Sequence, residues 1–148
     1  MAMEQREYKA QIAAAQSADD ITVMIVPRGI SFRRSIDQDH LREVSCIFKV
    51  NPKQSKLFYD LISDFSSDIV RSDNDNPQKF DFRIGMLFRL ENKIVETIFL
   101  EDSGEGFDSR GIFGNRKIEV RAGVTTKIRD MSHSPGFVLQ NNTSYDCK

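Results

Sequence analysis

Residues that usually carry metal or thiol chemistry are scarce in this chain of 148 residues, which has two cysteines and two histidines. Cys46 and Cys147 lie far apart and form no zinc or redox spacing. If bonded, they would close a long loop worth up to ~4–5 kcal/mol in the chain-entropy model. The expectation adopted is that Cys46 is a small buried hydrophobe, Cys147 a tail residue, and both thiols free. His40 beside Cys46 could be imagined as base and nucleophile. Strand alternation, however, turns Cys46 to the core and leaves His40 in a loop.

Long apolar runs are also missing. None approaches the roughly 20 residues that span a bilayer, so no membrane partner is expected. The N-terminus, "MAMEQREYKAQIAAAQSADD", lacks the apolar core of a signal peptide, because Gln11 breaks its small-residue stretch. A cytoplasmic protein is expected. The net charge is −1, so no global field attracts nucleic acid.

Nucleotide and metal motifs fail in detail. "GEGFDS" begins like a phosphate loop, but Ser109 stands where its third glycine belongs and a strand follows instead of a helix. Glu101, Asp102, Glu105 and Asp108 would also repel an anion. "DNDNPQ", residues 73–78, has Pro77 and Gln78 where a calcium loop needs a ligand and a glycine. "GFDSRG" has Phe107 where a nucleophile elbow needs glycine. The expectation is no cofactor, no metal and no catalytic residue.

What the chain does have is the composition of a globular protein, 39% hydrophobic and 29% charged, at a length that fits a single domain over residues 1–148. Residues 1–18 read as a helix with a thin apolar face of Tyr8, Ile12 and Ala15. Ile21 to Val26 is an apolar run expected as a strand buried on both faces. Strands are also expected in "ISFRRSI", residues 30–36, and "EVSCIFKV", residues 43–50, the three forming an antiparallel meander. The segment from Asn51 to Val70 reads as the main helix, capped by Asn51 and Pro52, with Leu57, Phe58, Leu61, Ile62, Phe65 and Ile69 in one stripe. A hairpin follows. Its first strand spans residues 80–90, with apolar even positions; Glu91-Asn92-Lys93 is the turn, and the return strand has an open register. Residues 101–115 read as one long glycine-rich loop. Residues 116–130 read as a last strand. Ile118, Val120, Ala122, Val124, Thr126 and Ile128 face inward; Lys117, Glu119, Arg121, Thr125, Lys127 and Arg129 point the other way and form a wet, basic face. That face has no aromatics for stacking bases, which argues against nucleic acid. Residues 131–148 are expected as an irregular tail. The sum is an α+β domain: a largely antiparallel six-stranded sheet with one main helix packed on a face, in the order α-βββ-α-βββ.

The one unexplained pattern is in "KLFYDLISDFSSDIV". Asp60, Asp64 and Asp68 recur every four residues, stacking like charges along the flank of the apolar stripe. Lys56 can pair with Asp60, which leaves Asp64 and Asp68 without a local partner. Asp60, Asp64 and Asp68, together with Asp102, Glu105 and Asp108, are the candidate partner-binding residues. A domain with segregated charge and no visible chemistry is expected to bind another macromolecule. The leading expectation is a small protein-binding inhibitor. It would be a bacterial immunity protein that neutralises a cognate toxin, such as a nuclease, by occluding its basic surface. The order α-βββ-α followed by strands also loosely resembles the type III secretion chaperones, which implies an effector as partner; their closing helix and their strongly acidic balance are missing here. A small enzyme with an unrecognised site is the remaining alternative.

Overall fold

The structure, a computed structural model, describes residues 2–29, 34–72, 79–140 and 147, with side chains from Tyr8 onward. Within them lies an eight-stranded sheet in the order β3-β7-β6-β5-β4-β1-β2-β8. Its strands are β1 (Asp20–Ile25), β2 (Cys46–Val50), β3 (Ile69–Ser72), β4 (Ile84–Leu90), β5 (Lys93–Leu100), β6 (Ser109–Phe113), β7 (Arg116–Val120) and β8 (Phe137–Leu139). Every pairing is antiparallel. The α-helices are α1 (Ala2–Gln16), α2 (Lys56–Ser63), α3 (Phe65–Asp68) and α4 (Val124–Met131). The α+β class and the antiparallel sheet stand; six strands and a single main helix do not.

One face of the sheet carries the main core. Ile21, Val23 and Ile25 of β1, Phe48 and Val50 of β2, and Met86 and Phe88 of β4 point into it. The helices close it from above with Tyr8 and Ile12 of α1, Phe58, Leu61 and Phe65 of α2–α3, and Val124 and Ile128 of α4. Each large side chain buried this way stabilises the fold by ~1.5–3 kcal/mol. A second, smaller core sits on the opposite face. There the long β1–β2 connection lays Ile36 and Leu41 over Met24, Ile47 and Phe99. Two covered faces explain why β1 is apolar at successive positions and not alternating. Gly85 makes the second core possible, since a Cβ there would come within 2.9 Å of Leu41, Met24 and Phe99.

Several expected elements are replaced. Arg34–Ile36 is not strand, and residues 30–33 of that expected strand lie outside the described residues. Leu41–Val44 is a short 3-10 helix, so β2 begins only at Cys46. The main helix starts at Lys56, where Ser55 caps it through Oγ accepting the Phe58 N–H, and not at Asn51. It breaks at Asp64, whose carbonyl accepts both the Ser67 N–H and the Ser67 hydroxyl. Such local bonding by serine competes with helix continuation. Ile69 and its successors then leave as edge strand β3.

The hairpin turn is the two-residue Glu91-Asn92, both at positive φ (51° and 68°), as a type I′ turn requires. A bulge at Phe88/Arg89 sets the rest of the register. The expected loop over 101–115 ends early, since β6 spans Ser109–Phe113. The expected last strand stops at Val120. Gly123, at φ 99°, turns the chain into α4, a conformation that glycine adopts with little strain. The basic strand face therefore does not exist. Val124 and Ile128 are four apart and fit either period, but Thr125 and Met131 are buried as well, which only a helix explains.

The tail is not irregular throughout: β8 pairs with β2, and Cys147 is disulfide-bonded to Cys46 with Cα atoms 5.7 Å apart. This overturns the expectation of free thiols. Folding brings the ends of a 101-residue separation together on β2, a proximity that spacing in the chain cannot reveal.

Candidate functional site

Asp60, Asp64 and Asp68 share a groove of about 320 Å³ between α2–α3 and α4. The floor is Leu61 and Met131, 5% and 7% exposed, and Leu57 stands beside it 58% exposed. Lys127 and Asp130 form the α4 wall. The four-residue spacing survives the break at Asp64 because α3 resumes at once, which keeps the three carboxylates on one side.

The carboxylates differ in their surroundings. Asp60 and Lys56 lie 3.9 Å apart on the exposed helix surface, a pair of the kind worth at most a few tenths of a kcal/mol. Asp64 is exposed and stands at the N-cap position of α3, where its carboxylate makes no cap hydrogen bond. Asp68 is largely covered and meets Arg121 at 3.3 Å. Burial pushes its carboxyl above the ordinary aspartate range, against the pull of Lys127 and Arg121, and the Asp64 charge pushes the same way. The groove thus keeps exposed negative charge on Asp60, Asp64 and Asp130 above an apolar floor.

The loop carboxylates lie elsewhere. Asp102 is buried and accepts four donors: Arg129 Nε at 2.8 Å, Arg28 Nε at 3.4 Å, Thr125 Oγ1 at 3.2 Å and the Gly104 N–H at 3.1 Å. It is a tie between the β5–β6 loop, α4 and the end of β1, and its side chain is turned away from solvent. Asp108 is exposed and accepts the Ala122 N–H at 2.9 Å, bracing the approach to α4. Glu105 is exposed, 4.0 Å from Arg28. The loop thus meets Thr125 and Arg129 of α4, while the helix aspartates face its Lys127, Asp130 and Met131. A strand pattern over this segment puts Lys127 on a basic face and leaves Asp130 and Met131 at its end and in the tail; only the helix α4 brings the three to one wall of the groove.

A second cleft, of about 390 Å³, lies against the disulfide and is lined by Arg28, Arg129, His133 and Asp130 among others. Its two arginines are already committed to Asp102. Elsewhere, His40 and Asp37 pair at 2.7 Å on the surface, and Cys46 offers His40 no thiol because it is in the disulfide. Among the described residues, no group of three or more His, Cys, Asp or Glu side chains is placed to hold a metal ion. The "DNDNPQ" segment lies outside the described residues. No described helix is long and apolar enough to cross a membrane. No family model, curated protein or solved structure matches the chain.

Proposed function

We propose that the protein is a small protein-binding inhibitor that neutralises a basic partner by docking its acidic helical face on it, in the manner of an immunity protein against a toxin. The observation that carries this is the groove itself: Asp60, Asp64 and Asp130 flank an apolar floor that ends in the exposed Leu57. Charge of one sign steers association and selects a basic surface, and an apolar centre supplies contact area that a solvated charge rim lacks. Asp102 belongs to the scaffold in this reading, leaving the helix aspartates as the contact residues.

The disulfide bears on where this happens. Disulfides persist in oxidising compartments and are rare in the cytosol. The bond between Cys46 and Cys147 therefore favours a partner met outside the cytosol over the cytoplasmic setting expected from the sequence.

Isolation from the native host, with identification of the bound protein, tests the reading. The partner should be basic, should lose activity on binding, and should associate more slowly with the Asp60→Asn/Asp64→Asn variant at low salt. A partner that binds the variant as fast as wild type at both low and high salt would remove the site assignment. A second reading, a chaperone for a basic effector, gains from one observation: α4 supplies a helix late in the chain where the sequence showed none. A constitutive dimer would favour it.

A further inference from the structure

We infer that the occupant of the groove is a cationic amphipathic helix of the partner, with basic side chains at i and i+4 beside an apolar stripe; this rests on the groove being the docking site. Spacing is the first argument. Asp60 and Asp64 are four residues apart on one side of the groove, roughly 6 Å at the 1.5 Å rise of a helix. Basic residues at i and i+4 of a helix laid along the groove repeat with the same rise, so both meet a carboxylate without bending either backbone.

The floor is the second argument, and it is independent of charge. A rim of carboxylates alone would serve any cation. Leu57, exposed beside Leu61 and Met131, adds an apolar contact that a simple polycation would leave unused. At about 320 Å³ the space takes side chains and not a whole helix, so the occupant's backbone rides on the rim while its apolar stripe descends. Lys127 is the groove's own cation on the α4 wall. It opposes a basic occupant, so its removal should tighten binding, an effect that a purely structural lysine would not produce.

The test uses the whole protein and labelled synthetic helical peptides, read by fluorescence anisotropy. One peptide carries lysines at i and i+4 beside a leucine stripe. A second has the same composition with the pattern permuted, and a third has serine for leucine. The patterned peptide should bind about tenfold tighter than either control, a difference of ~1.4 kcal/mol. Asp60→Asn/Asp64→Asn and, separately, the exposed Leu57→Ser should each weaken it severalfold, and Lys127→Gln should strengthen it. Spermine, which has charge without an apolar stripe, should compete poorly. If the permuted peptide binds as well, or spermine competes fully, the helix is not the occupant, while the groove remains the docking site as long as Asp60→Asn/Asp64→Asn slows the native partner. If neither the native partner nor any peptide responds to Asp60→Asn/Asp64→Asn, both inferences fall.

Discussion

Asp102 and Arg129 meet at 2.8 Å with 6% and 13% of their side chains exposed, and Arg129 also donates from Nη1 to the Val26 carbonyl at 2.6 Å. This pair joins the β5–β6 loop to α4 and to the end of β1, and so fixes the α4 wall of the groove. Replacing Asp102 by Ala leaves a covered guanidinium without its carboxylate, which costs ~3–5 kcal/mol. A urea titration should show the midpoint fall accordingly, and a loss below ~1 kcal/mol would show the pair to be solvated.

The same carboxylate sets an acid limit. Burial pushes the Asp102 carboxyl up, but the Arg129 hydrogen bond, the Gly104 N–H and the charges of Arg129 and Arg28 together carry it below its ordinary value of 3.8. A depressed folded pKa means the stabilisation is complete above the unfolded value and is lost as pH falls through the folded one. The contribution should therefore disappear only below about pH 3.8, and Asp102→Asn should flatten the acid limb of stability against pH.

Glu96 works in the opposite sense. It is buried beneath α1, and burial raises its carboxyl above the ordinary 4.5, against hydrogen bonds from Thr97 N–H and Gln11. A raised carboxyl pKa means that ionisation above the folded value costs stability. Glu96→Gln should raise the thermal midpoint at pH 8, with the gain vanishing as pH falls below 4.5. A loss at pH 8 would show that the carboxylate's hydrogen bonds outweigh its burial.

Protein isolated without reductant should show no thiols on denaturation, and two after reduction. Cys46→Ser/Cys147→Ser, which removes the 101-residue closure, should cost ~2–5 kcal/mol in denaturant unfolding. Two free thiols in freshly isolated protein would remove the argument for an oxidising compartment.

Gly111 lies in β6, and a Cβ there would strike the Phe99 carbonyl of the neighbouring strand β5. Backbone cannot give way as a side chain can. Gly111→Ala should cost ~1–3 kcal/mol by circular-dichroism melting, whereas Gly104→Ala, with open space around its Cβ but a positive φ, should cost less.

Local pattern was enough to read much of this molecule. Tyr8, Ile12 and Ala15 mark the buried face of α1, and the apolar run in β1 marks a strand covered on both sides, because burial periodicity is written directly into side-chain order. The stripe of Asp60, Asp64 and Asp68 was legible for the same reason. Three things needed the tertiary structure. Val124 and Ile128 satisfy two periods at once, and only packing against the main core selects the helix. That choice brings Lys127 and Asp130 to the aspartates and turns a charged stripe into a groove. Asp102 looks as solvated as Glu105 in the sequence, yet long-range contacts with Arg28 and Arg129 withdraw it from the surface. Cys46 finds Cys147 because β8 returns to pair with β2, and a pairing between distant segments depends on the assembled sheet, which no stretch of local sequence encodes.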